Sequence, residues 1–185
     1  MSSGTFAQLL NLLQTLVPEC EGAAHAIWGS DHPAHREQIR QSLMQRFADP
    51  ELLNLKQIPR LKDRSISISH TRDFGGWLAT PRPVQVGWDI EHQSRIREVI
   101  VRRTCTEQEI ARAPHFSFLW SAKESLYKAL EAQQPATVQE LSIASWQALG
   151  PALWSWRSQQ PYFGDGLLLQ SKNSIVAACV VRHQA

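Results

Sequence analysis

Three acids and two lysines stand in two short stretches of this chain. "GWDIEH" (87–92) carries Asp89 and Glu91 two residues apart at the end of an apolar run, and "SAKESLYK" (121–128) carries Lys123, Glu124 and Lys128. Residues i and i+2 of a strand share a face, so the first two carboxylates point the same way. Carboxylates gathered in one place repel each other unless a cation joins them, either a metal, a base or both. Taken singly, each group has a plainer reading. Glu124 and Lys128, spaced i, i+4, make a helix-surface ion pair worth about 0.2–0.5 kcal/mol. Asp89 and Glu91 fit the solvent face of an edge strand, and His70 fits a structural role at a strand end. In "DHPAHR", His32 and His35 fit a loop leading into a helix better than a metal site.

The elements that would carry these residues can be read from periodicity. Phe6, Leu9, Leu10, Leu13, Leu16 and Val17 recur at helical spacing, with Pro18 as the stop. A second amphipathic helix is predicted over 34–48, with Ile39, Leu43, Met44 and Phe47 on one stripe. "SISIS" (65–69) alternates strictly and reads as a strand ending at His70. "GGWLAT" (75–80) and "VQVGWDIE" (84–91) bracket the turn "PRP" and predict a hairpin. In its second strand Val84, Val86, Trp88 and Ile90 form one face, and Gln85, Gly87, Asp89 and Glu91 the other. Gly87 would bare the backbone to a ligand. "TEQE" (106–109) has the form of a capping box. A longer helix follows from about 117 to 132, with Leu119, Ala122, Leu126, Ala129 and Leu130 as its apolar stripe. Lys123, Glu124 and Lys128 fall toward its other side. "ALWSWRSQ", "GLLLQ" and "SIVAACVVRH" read as a strand meander, so the pattern as a whole is α+β.

Composition narrows the function classes. A chain of 185 residues with 43% apolar content is long enough for a real core, as one domain or two small halves. A net charge of +2 is too small to argue for general nucleic-acid binding. Cys20, Cys105 and Cys179 are odd in number, far apart and without a C-x-x-C pair, which excludes a disulfide framework or zinc knuckle and suits a reducing compartment. The N-terminal stretch has no signal-peptide pattern, and no apolar run approaches the ~20 residues of a membrane span. The expected location is the cytoplasm.

In order, "SISH" (67–70), "GWDIE" (87–91) and "WSAKESLYK" (120–128) form a set that resembles the 4′-phosphopantetheinyl transferase superfamily. The resemblance implies two similar α+β halves, each a small antiparallel sheet against a long helix, in a pseudo-dimeric single chain acting as a monomer. Residues 1–83 and 84–185 would be those halves, with the site between them. The implied reaction moves 4′-phosphopantetheine from coenzyme A to a serine of an acyl or peptidyl carrier protein, as a holo-acyl-carrier-protein synthase does, and releases adenosine 3′,5′-bisphosphate. It implies Mg²⁺ held by Asp89, Glu91 and Glu124, with Glu124 or a water it orients taking the serine proton. Lys123 and Lys128 would stabilise pyrophosphate charge. His70, flanked by Ser69 and Thr71, would contact the 3′-phosphate of coenzyme A. Such chemistry needs positioning and charge neutralisation more than covalent help.

The sequence departs from the family's pattern in places. Thr71 stands where serine is frequent, and Trp88 is bulkier than the usual Ile, Val or Cys. No Gly-Lys-Pro signature precedes the strand. "NLKQIPRLKD" (54–63) offers Arg60 and Lys62 as nearby phosphate contacts instead. Between the two acidic motifs, "SRIREVIVRR" holds Arg95, Arg97, Arg102 and Arg103, with Arg112 soon after, a basic face suited to an acidic carrier protein. Two other readings stay open. A metal-dependent nuclease would need a lysine two residues after the second acid, where His92 and Gln93 follow Glu91. A catalytically silent module would bind coenzyme A or a carrier protein without turnover.

Overall fold

The computed structural model describes residues 3–26, 33–130, 137–159 and 161–182, so His32 lies outside the described residues. Helix α1 (Ser3–Leu16) buries Phe6, Leu9 and Leu13 along one stripe, and Pro18 follows its end. Strand β1 (Glu21–Ala26), helix α2 (Pro33–Phe47) and strands β2 (Arg64–His70) and β3 (Phe74–Pro81) follow. The three strands form an antiparallel sheet in the order β1-β3-β2. Helix α2 packs on this sheet through Ile39 and Leu43 against Trp77 and Ala79.

The rest of the chain builds a larger sheet. Strand β4 (Gln85–His92) leads to the short helices α3 (Glu98–Thr104) and α4 (Glu107–Arg112), then to α5 (Phe116–Leu130). The expected end of α5 at 132 lies outside the described residues. Strands β5 (Ile143–Gly150), β6 (Leu153–Ser158), β7 (Gly164–Gln170) and β8 (Ser174–Val181) complete an antiparallel sheet in the order β4-β8-β7-β6-β5. The capping box is present at α4, with Thr106 and Glu109 bonding each other's backbone N–H.

Every residue of β8 is buried, because the sheet is covered on both faces. Ile175, Ala177, Cys179 and Val181 pack with Leu119, Ala122 and Leu126 of α5. Val176, Ala178 and Val180 pack with α1, in a core that also takes in Phe74 and Leu78 of β3 and Val86, Trp88 and Ile90 of β4. Trp88 meets Phe6 edge to face at 5.2 Å between ring centroids. The fold is therefore α+β, with a helix-backed sheet of three strands and another of five.

The expected β3–β4 hairpin does not form. β3 belongs to the smaller sheet, and β4 pairs with β8 across its whole length. What joins the sheets is the "SISIS" pattern itself. The hydroxyls of Ser65, Ser67 and Ser69 accept the N–H groups of Val86, Trp88 and Ile90 at 3.1, 3.0 and 3.1 Å. Both strands advance two residues per bond, so β2 runs parallel to β4 and side chains do the work of a backbone ladder. An edge strand thus has its outer donors satisfied. Among the described residues no helix is long and apolar enough to cross a membrane.

Candidate active site

Gly87 sets the geometry. The sequence suggested a backbone bared for a ligand, but α5 occupies that space. A Cβ on Gly87 would lie 1.9 Å from the Ser125 carbonyl oxygen and 2.6 Å from the Ala129 nitrogen. Close contact of strand and helix brings Lys128 Nζ to Asp89 Oδ1 at 2.7 Å and to Ser69 Oγ at 3.1 Å. Lys128 therefore ties the strand of the acids to the last rung of the serine ladder. Asp89 is buried at 2% exposure rather than on the solvent face of an edge strand, and its Oδ2 accepts no hydrogen bond.

Glu91 and Glu124 complete the acidic group. Burial pushes the Glu91 carboxyl up to about 7, and the charges of Asp89 and Glu124 add to that, against the pull of Lys128 and Arg95. Glu91 thus feels Asp89 on its own strand and Glu124 on α5.

His70 stands where two cavities meet. The first, of about 370 Å³, runs along β2 past Ser65, Ser67 and His70 to Lys128. Arg36, Arg40, Lys56, Arg60, Arg64, Arg82 and Lys128 line it, and among the described residues no acid does. Leu55, Ile58 and Pro59 give it an apolar side. The second, of about 310 Å³, is lined by Thr71, Glu91, Arg95, Arg97, Ile100 and Trp120 among others. Partial burial and the positive charge of Arg36 hold the His70 imidazole below its usual pKa, with His35 and Lys128 adding to the effect and a backbone bond at Thr71 opposing it. His35 is buried in the first turn of α2, its ring centroid 6.4 Å from that of His70.

A basic cleft that ends at Lys128, the partner of Asp89, suits a highly anionic substrate, and comparison with protein families agrees. The family model of the 4′-phosphopantetheinyl transferase superfamily matches residues 85–179, more than half of the chain. The chain belongs to this superfamily. Comparison with curated proteins found no match. Phosphopantetheinyl transferases generally use coenzyme A as substrate together with a divalent metal.

The residues present fit such an ion in their chemistry. Asp89 Oδ2 is a buried carboxylate oxygen without a donor, and burial with the charges of Asp89 and Glu124 pushes Glu91 up to about 7, two conditions an oxygen-seeking cation relieves. Among the described residues, no three His, Cys, Asp or Glu side chains are closed around one point as the side chains stand.

Other transferase residues foreseen from sequence fall in different places. Lys123 is fully buried, paired with Glu109 at 3.0 Å, and lines neither cavity. Its ammonium turns inward to Glu109, the Thr104 carbonyl and Cys105 Sγ. Arg60 lines the basic cavity, whereas exposed Lys62 does not. Ser69 is spent on Ile90 and Lys128, and the Thr71 hydroxyl bonds Asp73 and the Phe74 carbonyl in the turn after β2. Arg95 and Arg97 reach the second cavity. Arg102 bonds Glu98 at 2.7 Å on the surface of α3, and Arg103 and Arg112 are exposed.

Sequence reasoning missed Arg36 and Arg40, although their i, i+4 spacing on a predicted helix was a visible sign of a basic face. It also missed Arg64 and Arg82, which only the sheet topology brings to the cleft. Glu109 was read as a cap alone.

Proposed function

We propose that this chain transfers the 4′-phosphopantetheine group of coenzyme A to a serine of an apo acyl or peptidyl carrier protein. The observation that carries this reading is the junction at Lys128. There a cleft lined by arginines and lysines ends at the partner of Asp89, with Glu91 and Glu124 coupled to it.

The nucleotide end of coenzyme A lies in the cleft. His70 takes the 3′-phosphate, helped by Arg36, and Arg60 and Lys128 face the pyrophosphate. Asp89, Glu91 and Glu124 would hold Mg²⁺, which when bound supplies positive charge for the pyrophosphate. Glu124 accepts the proton of the carrier serine as the serine oxygen attacks the β-phosphorus. The bond from that phosphorus to the bridging oxygen breaks, and adenosine 3′,5′-bisphosphate departs with the electron pair. Lys128 offsets the leaving charge.

The carrier docks on the other side of His70. Exposed Val99 and Ile100 lie on α3 with Arg102 and Arg103, Arg95 and Arg97 precede that helix, and Arg112 on α4 completes the proposed basic set. Such a face suits an acidic helix and speeds its encounter. The test is chromatography of the small-molecule products. Adenosine 3′,5′-bisphosphate should appear only when chain, coenzyme A, Mg²⁺ and an apo carrier are all present. Its appearance without carrier, or its absence with every carrier tried, contradicts the proposal.

A further inference from the structure

A second charged cluster lies one residue from Glu124 along α5, about 100° around the helix. Lys123 Nζ sits 3.0 Å from Glu109 Oε1 and 3.3 Å from Oε2. It also donates to the Thr104 carbonyl at 3.3 Å and to Cys105 Sγ at 3.6 Å. Glu109 Oε2 accepts the Thr106 N–H at 2.9 Å, and Oε1 accepts the Ile143 N–H at 3.3 Å. One ion pair thus ties the end of α3, the start of α4, α5 and β5 to a single point. Burial alone would raise the Glu109 carboxyl, but the bonds from Thr106, Lys123 and Ile143 outweigh it and bring it below the usual range.

A buried ion pair adds little net stability over well-packed apolar groups, but it fixes orientation. Helix α3 needs such fixing. It has seven residues, and Val101 alone of them is buried. A helix this short does not hold itself in place. Its anchor is the Thr104 carbonyl on Lys123, and its other end carries Arg97 and Ile100 at the rim of the cavity that Glu91 lines.

We propose that Lys123 and Glu109 form a strut that holds α3 at a set position relative to Glu124, making both of them positioning residues for the carrier protein rather than contacts of coenzyme A. The carrier part of this inference rests on the function proposed above. The strut itself stands on geometry alone.

The test uses the full chain with Lys123→Met and Glu109→Gln together, which removes both charges and leaves no carboxylate stranded in the core. Hydrogen exchange of the α3 amides should quicken about ten-fold. The carrier KM should rise about five-fold, as expected of a displaced docking element, with coenzyme A affinity within about two-fold of wild type. Lys123→Gln with Glu109→Gln keeps a hydrogen-bonded strut without charge and should restore most of the α3 protection. A loss of coenzyme A affinity like that of His70→Ala would overturn the inference, because Lys123 would then serve the coenzyme. Unchanged α3 exchange would also overturn it, as would a failure of the amide pair to restore protection. If the wild-type chain modifies no carrier, the proposed function falls, while the exchange data still judge the strut.

Discussion

Replacing Gly87 by alanine tests how closely β4 and α5 must approach for the acids and Lys128 to meet. The new Cβ would stand 1.9 Å from the Ser125 carbonyl oxygen, where ordinary contact begins at 3.4 Å. The obstacle is helix backbone, so no side-chain rotation relieves it. Strand and helix must separate by roughly 1.5 Å, or β4 must tilt. Overpacking of this kind costs about 1–3 kcal/mol, occasionally more. For a chain of this size, each kcal/mol lowers Tm by about 2–4 °C, giving an expected loss of about 2–12 °C. The functional loss should be larger. Lys128 Nζ lies 2.7 Å from Asp89 Oδ1, and a shift of that size breaks the contact. Misplacement by ~1 Å can cost about a hundred-fold in rate. Thermal unfolding and carrier modification at saturating coenzyme A measure the two effects together. A Gly87→Ala protein with wild-type Tm and wild-type rate would refute this account of the β4–α5 contact.

Further outcomes follow from the charges. Burial, with Asp89 and Glu124, raises Glu91 from 4.5 to about 7 in the folded chain, so its contribution to stability is complete below pH 4.5 and lost as pH rises to about 7. Mg²⁺ should therefore raise Tm more at pH 8 than at pH 6, and equal shifts at both would contradict the coupling. His70→Ala should weaken coenzyme A more than dephospho-coenzyme A in calorimetry, since only the former carries the 3′-phosphate. Equal losses would place His70 elsewhere. Because burial and Arg36 keep its imidazole pKa low, wild-type binding of coenzyme A should also take up protons near neutral pH. Reversing Arg102 and Arg103 to glutamate should slow carrier association at low salt and leave coenzyme A affinity nearly unchanged. A normal association rate would remove α3 from the docking face.

Local patterns were legible wherever one face of an element is buried. The stripes of α1 and α2 are direct consequences of single-sided burial, the alternation of β2 separates serines that bond β4 from isoleucines that pack under α2, and the box at Thr106–Glu109 is a local hydrogen-bond pattern. What the sequence hid was long-range pairing. The "PRP" turn between two strands looks the same whether they pair with each other or, as here, part into different sheets. β1, "EGAAHA", has almost no strand propensity, and where it lies tight against β3, at Gly22 and opposite Gly76, the fit favours small residues. A Cβ on Gly22 would meet Leu78 at 2.6 Å. β5 escaped notice because its outward face is irregular and it pairs through two bulges. At the site, Asp89, Glu91, Glu124, Lys128 and His70 were readable as an ordered set. The fate of Lys123 was not, since a lysine on a helix flank declares neither its burial nor its partner. Arg36, Arg40, Arg64 and Arg82 converge only once α2 and β2 are folded against each other.

The central claim is that the acids of β4 and α5, beside a basic cleft, move phosphopantetheine to a carrier serine. Intact mass of an apo carrier protein, incubated with coenzyme A, Mg²⁺ and either wild-type chain or Glu124→Ala, tests it most directly. The account predicts that the wild-type chain adds one phosphopantetheine to the carrier, while the folded Glu124→Ala protein leaves the carrier's mass unchanged. Equal modification by both proteins, or none by the wild type with any carrier, would contradict it.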